Sequence, residues 1–231
     1  MPIPYSMFAL ALVMTAGSLT QKGWWWLALW PAVNFALLGW AHLGQNAGIY
    51  GKRADGTLPV WSWAVFLPLH LLTRVVWRLV CVHNRAPACQ QVLPDLSIGR
   101  RLLNHECQTR FDNYVDLTAE FTESSAIRRS PGYILVAILD GAAIDPNILR
   151  QAIDQLRPGT TFIHCAQGFG RTGLFSAAVL LRRGLVRDPA EALARLRAVR
   201  PGIRLSPLQQ RSLEQFACLI SESAATTSAV N

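Results

Sequence analysis

The sequence predicts an α/β domain, with a central and mostly parallel sheet flanked by helices, preceded by an α-helical membrane region. Three observations lead there. All eight Trp lie between Trp24 and Trp77, within long runs that carry almost no charge. Beyond a polar linker, short β-branched segments alternate with amphipathic helices, the pattern of a parallel sheet. One of those strands opens through a Gly-containing loop into a helix, between Thr160 and Gly173.

Composition separates the two parts. Apolar residues make up 51% of the 231 and charged residues 16%, which is apolar for a wholly soluble chain. The net charge is +8. Most of it sits in residues 1–89, where Lys22, Lys52, Arg53, Arg74, Arg78 and Arg85 face only Asp55. There is no zinc-ligand spacing, helix-turn-helix signal or basic stripe with interleaved aromatics, so a nucleic-acid partner is not expected. The five cysteines are odd in number and scattered, poor material for a disulfide framework and better suited to a reducing compartment.

The front end reads as membrane helices. Residues 7–19 are almost wholly apolar, and residues 23–43 are apolar apart from Asn34 and His42. About 20 such residues cross a bilayer. A helical hairpin follows, turning at Thr20-Gln21-Lys22-Gly23, with Trp24-Trp25-Trp26 at headgroup level. A signal peptide is not expected, because no basic segment precedes the apolar run and no cleavage site stands out. Residues 58–82 form a third stretch, interrupted by Pro68 and carrying Arg74 and Arg78 one turn apart. It either spans with the arginines snorkelling or lies in the interface, so two or three crossings are open. The densest positive cluster lies after Trp77, with Arg78, Arg85, Arg100 and Arg101, and it places the second half on the cytoplasmic side.

The expected domain organisation is a membrane region to residue 82, a linker over 83–91, a globular domain over 92–220 and a disordered polar tail over 221–231. Strands are expected at 97–100, 113–118, 133–139 and 160–164. Helices are expected over 146–156, over 172–183 with Gly184 as the stop, from Asp188-Pro189 to Val199, and from Ser206-Pro207 to about residue 220.

The chemistry lies in His164-Cys165-Ala166-Gln167-Gly168-Phe169-Gly170-Arg171-Thr172-Gly173. A loop between a strand and a helix can turn its N–H groups inward and bind an anion, helped by the positive helix end. Gly168 and Gly170 permit the curvature, and Arg171 supplies a planar fork for two phosphate oxygens. Cys165 at the floor would feel the dipole, the amides and the guanidinium, all of which favour the thiolate, the form that attacks phosphorus. Thr172 is positioned to donate a hydrogen bond to the sulfur, and His164 to orient the loop through backbone hydrogen bonds. The segment resembles the signature of the protein-tyrosine phosphatase superfamily, His-Cys-x-x-Gly-x-x-Arg-Thr-Gly, at every fixed position. The resemblance covers about residues 92–220 and implies a dual-specificity phosphatase-like fold. Bacterial chains that look similar join a hydrophobic region to such a domain, which implies a bacterial inner-membrane location.

By that resemblance Cys165, Arg171, Asp140 and Thr172 are the catalytic residues. Ala166, Gln167, Gly168, Phe169, Gly170 and Arg171 bind phosphate, with His164 and Gln209 in support. A leaving oxygen needs a proton. Asp140 directly follows the 133–139 strand, as the family's general acid does, whereas Asp145 precedes Pro146 and suits a helix N-cap. Arg200-Pro201-Gly202-Ile203-Arg204 and Gln209 look like the family's late Arg-Pro segment and its water-positioning glutamine, though Gln210 fits the spacing equally well. No metal or organic cofactor is implied.

The resulting expectation is a membrane-anchored phosphomonoesterase working through a phosphocysteine, of dual-specificity or tyrosine protein phosphatase type. A phospholipid headgroup phosphatase of phosphatidylglycerophosphatase type is the alternative, and an inactive phosphate-binding module a third reading. Neutral Ala166 and Gln167 disfavour multiply charged inositol headgroups, because lipid-acting relatives often place lysines in this loop.

Overall fold

A computed structural model describes residues 3–21, 23–84 and 86–230, with side chains as far as Glu222. The chain forms two compact units. One takes residues up to 84 except 54–56, together with 119–122; the other takes 54–56 and the remainder.

In the first unit α1 (Ile3–Thr20) packs against α2 (Leu29–Leu43), and α2 against α3 (Val60–His83). The segments Ile3–Thr20, Trp24–Leu43 and Val60–His83 are each long and apolar enough to cross a membrane. Gly39 of α2 lets the Phe8 ring approach to 3.1 Å of where a Cβ would stand. The third stretch is one helix with a kink. Pro68 has no N–H to give the preceding turn, and Phe66 leaves helical geometry at φ −102° and ψ 19°. The Val65 carbonyl at this kink accepts from Trp30 Nε1 at 2.7 Å and Asn34 Nδ2 at 2.9 Å. Asn34, the polar break in α2, is therefore the partner of a proline kink in α3. Arg74 lies with its guanidinium carbon 4.1 Å from the Trp63 ring centroid, which gives the charge an aromatic face within the helix.

The second unit is built on a five-stranded sheet of β1 (Cys89–Leu93), β2 (Leu96–Arg100), β3 (Asn113–Thr118), β4 (Tyr133–Ile138) and β5 (Thr161–Cys165). Their order is β1-β2-β5-β3-β4; β1 is antiparallel to β2 and the other pairs are parallel. Every residue of β3 and β5 is buried, as strands covered on both faces must be. The helices are α4 (Ser125–Arg128), α5 (Pro146–Asp154), α6 (Gly170–Arg182), α7 (Pro189–Val199) and α8 (Pro207–Val230). α6 packs on β5 and β2, and α5, α7 and α8 pack on α6. Residues 89–93, most of which fall in the expected linker, form a strand, because Cys89 to Gln91 and Leu93 find pairing partners on β2 despite two glutamines. The α8 backbone runs to Val230, through the residues expected to form a tail.

Asp112 sets how β3 and β5 meet. Its carboxylate accepts from Thr160 N at 2.7 Å and Thr160 Oγ1 at 2.9 Å, just ahead of β5. The neighbouring Gly159 has φ +120°, and a Cβ there would stand 2.3 Å from Asp112 Oδ2. The Thr160 N–H first, and its hydroxyl second, hold the Asp112 carboxyl below its ordinary value.

Both sets of contacts can be tested. Asn34→Leu should lower the resistance of the full chain to denaturing detergent by about 0.6–2 kcal/mol, read from an SDS unfolding titration. Asp112 ionises more readily folded than unfolded. Its contribution is complete above the unfolded value of about 3.9 and is lost as pH falls through the lower folded value. The stability of Asp112→Asn, read as Tm against pH, should accordingly fall less steeply below about pH 4 than that of the parent chain.

Candidate active site

The loop between β5 and α6 leaves the carboxyl end of the sheet's central strand, where open α/β sheets place their sites. Its shape follows from where its carbonyls go. Cys165 O accepts from Arg101 N at 2.7 Å. Gln167 O accepts from Arg200 Nη2 at 3.0 Å and Gly168 O from Arg200 Nε at 2.7 Å. Phe169 O accepts from Gly173 N at 2.8 Å, the first turn of α6. In a trans peptide the N–H points opposite to the carbonyl of the same plane. Four carbonyls tied away from the loop's centre therefore turn the amides of Ala166, Gly168, Phe169 and Gly170 the other way. One of these is seen directly: Gly168 N donates to Cys165 Sγ at 3.2 Å. Cys165 is buried at the floor.

Gly168 could be no other residue without strain. It has φ +76°, and a Cβ would stand 2.4 Å from the Gly99 carbonyl group. Gly170 lies against the Gln209 amide, whose oxygen would be 3.0 Å from an added Cβ.

Arg171 is buried, donating from Nη1 to Ile138 O at 2.9 Å, with Leu117 O at 3.5 Å. The ends of β4 and β3 thus hold its guanidinium. Its Nε stands 3.4 Å from Asp140 Oδ1, on the turn after β4, and the Asp140 side chain is 83% exposed. An ion pair this open adds little stability. It does put the carboxylate beside the loop on a segment bounded by Gly141 at φ +73°. Asp145 is engaged elsewhere, accepting from Asn147 N at 2.7 Å as the N-cap of α5. Gln209 and Gln210 also part. Gln209 is buried, its Oε1 accepting from Ser206 N at 3.0 Å and its Nε2 having no hydrogen-bond partner among the described residues. Gln210 reaches outward to Glu214 at 3.3 Å.

Thr172, expected among the catalytic residues, and His164, expected in support, make contacts other than those anticipated. The Thr172 hydroxyl is 3.4 Å from Gly99 O, tying α6 to β2; the sulfur's donor is the Gly168 amide. His164 is fully buried and stacks on Phe162, with ring centroids 5.4 Å apart. Its Nε2 faces Glu123 Oε2 at 3.6 Å, not the loop backbone, because β5 alternation points it to the side opposite its neighbour Cys165.

Behind the loop lies a buried polar network that sequence reading missed. Asp116, Glu123 and His164 bring three candidate metal-ligand atoms within 4.8 Å. Their charges are already answered by side chains. Asp116 Oδ1 accepts from Thr118 N and Oγ1, and Oδ2 from the Tyr133 hydroxyl at 2.9 Å. Arg101 Nε stands 3.6 Å from Glu123 Oε2. Burial, then the Asp116 charge, push the Tyr133 hydroxyl far above its ordinary value, so it remains a donor at all working pH. Glu123 lies in a polar run, Thr122-Glu123-Ser124, which carries no pattern pointing inward.

A central parallel strand opening into a Cys-five-residue-Arg loop, in a five-stranded sheet of this order, defines the fold of the dual-specificity-like protein-tyrosine phosphatases. No family model and no curated protein matches the chain. Solved structures of that class do. The structure of PTPMT1 in complex with PI(5)P superposes with a TM-score of 0.54 at 15% identity, over 60% of this chain and 99% of that one. Tk-PTP in its active form gives 0.52 at 22% identity, over 57% and 97%. A point variant of human DUSP28 gives 0.51 at 17%, over 60% and 99%. At such identities the likeness is one of fold.

Gly168→Ala should abolish phosphate binding while the rest of the domain folds, since the added Cβ must displace either the loop or the end of β2. Titration of the full chain with inorganic phosphate checks this.

Proposed function

We propose that the chain is a membrane-anchored cysteine-dependent phosphatase that hydrolyses phosphate monoesters through a phosphocysteine. The observation that carries this reading is the Gly168 N–H aimed at Cys165 Sγ from 3.2 Å, inside a loop whose other carbonyls are drawn outward. A phosphate dianion would take the inward amides and the Arg171 fork. The Cys165 thiolate then attacks phosphorus, forming a P–S bond as the ester P–O bond breaks. Asp140 gives its proton to the departing oxygen. In the second step a water, held by the unpaired Nε2 of Gln209, attacks the phosphocysteine and loses its proton to Asp140. The P–S bond breaks, returning the thiolate and inorganic phosphate. No metal is required at any step.

The helices long enough to span a bilayer support anchoring, and the arginines after α3 support a cytoplasmic catalytic unit in a bacterial inner membrane. The substrate we favour is a phosphorylated protein at that membrane, because Ala166 and Gln167 leave the loop without extra charge for an inositol headgroup. The PI(5)P bound to PTPMT1 favours the second reading, a phospholipid headgroup.

Three variants of the full chain test the proposal. Cys165→Ser should lose turnover of p-nitrophenyl phosphate entirely; unchanged turnover would end the catalytic reading. Asp140→Asn should lower kcat by about 10²–10⁴ on a phosphotyrosine peptide, with a smaller loss on substrates with good leaving groups. Asp145→Ala should retain kcat and cost about 0.5–2 kcal/mol in stability as a lost helix cap. Parallel assays on phosphotyrosine peptide and on vesicles containing phosphatidylglycerophosphate decide between the two substrates.

A further inference from the structure

Arg200 is fully buried, yet among the described residues it has no carboxylate partner. Its guanidinium is held by four oxygens. Two belong to the catalytic loop, Gly168 O at 2.7 Å and Gln167 O at 3.0 Å. The other two belong to the segment that leaves α3, Pro87 O at 2.8 Å and Gln90 Oε1 at 2.7 Å. Gln90 closes the arrangement by donating from Nε2 to Val199 O at 2.6 Å. The Phe169 ring covers the group, its centroid 4.8 Å from the guanidinium carbon, and itself rests where a Cβ on Gly202 would stand 2.4 Å away.

Burying a cation without a counter-charge is costly, and a solvated surface position would avoid the cost. Burial draws the Arg200 guanidinium below its ordinary value, and the Cys165 sulfur works against that. What Arg200 supplies in return is orientation. The peptide planes whose carbonyls it holds are those of Gln167–Gly168 and Gly168–Phe169. Their N–H groups are the one donated to Cys165 Sγ and its neighbour in the cradle.

We infer that Arg200 is a positioning residue for the phosphate cradle and that Pro87, just ahead of β1, and Gln90, in β1, set Arg200 in place. The start of the second unit is then a working part of the site. Removing Gln90's polar atoms loosens the guanidinium, lets the two carbonyls turn, and weakens the amides that hold phosphate. Lysine at 200 keeps the charge but cannot reach four oxygens in a plane. This inference rests on the phosphatase reading for its consequence in catalysis, but not for its consequence in anion binding.

The test uses the full chain in detergent, as Gln90→Met and Arg200→Lys. The readouts are kcat and KM on p-nitrophenyl phosphate, competitive inhibition by inorganic phosphate, and Tm. Arg200→Lys is expected to weaken phosphate inhibition about tenfold or more and Gln90→Met about threefold, each with a fall in kcat, as lost charge-assisted hydrogen bonds would. The Tm of Gln90→Met should stay close to the parent value, which separates positioning from general destabilisation. Parent-like phosphate inhibition in both variants would overturn the inference, as would a loss in Gln90→Met that only tracks its Tm. Should the parent chain show no turnover at all, the phosphatase reading fails. Calorimetric binding of inorganic phosphate to Cys165→Ser, with and without Gln90→Met, would still decide the role of Arg200.

Discussion

Peptide planes in the loop between β5 and α6 are held with their carbonyls facing away from its centre, and the rest of the second unit is arranged to keep them so. Five residues on four elements must agree. The Arg101 amide beyond β2, the Arg200 guanidinium after α7 and the Gly173 amide in α6 take the carbonyls, while Gly168 and Gly170 leave room for the curve. None of these contacts is local in sequence except that of Gly173. The loop is therefore a product of the assembled sheet and helices. The isolated strand-loop-helix segment would lose the Arg101 and Arg200 contacts and could relax to satisfy its carbonyls with water.

Beneath that loop the charge arrangement is layered. Arg171 is pinned by strand-end carbonyls and carries Asp140 beside it. His164 looks the opposite way, into a pocket where Glu123, Asp116, Arg101 and Tyr133 answer one another. Strand alternation at β5 separates the two layers, so the Cys165 sulfur shares its side with the Gly168 amide, Arg171 and Asp140, while Asp116 and Glu123 lie on the His164 side. Burial raises the thiols of Cys89 and Cys107 above their ordinary values, which disfavours their thiolates.

Much of this was legible in the sequence wherever one residue type served one purpose. β3 occupies 113–118 as read from the sequence, and the loop between β5 and α6 falls where its glycines, Cys165 and Arg171 placed it. Asp145 before Pro146 announced an N-cap and is one. Legibility ended where the structural reason was long-range. Cys89-Gln90-Gln91 reads as linker because its pairing with β2 and its tie to Arg200 lie in other segments. Gln209 and Gln210 are equivalent by spacing, and only the direction of the first turn of α8 buries one and exposes the other. Glu123 offers no periodicity at all. Its role exists because Arg101, just beyond β2, and His164, in β5, arrive from segments far apart in the chain.

The bent third helix bears on how the front end is assembled during synthesis. Val65's exposed acceptor is matched by Trp30 and Asn34, both made earlier in the chain. Were that bend to enter hydrocarbon, its two donors would already be present on α2, and a bare carbonyl need never face lipid. Written in the opposite order, the same contacts would leave the bend unsatisfied until its neighbour arrived. In that setting the order of segments makes the kink inexpensive to insert.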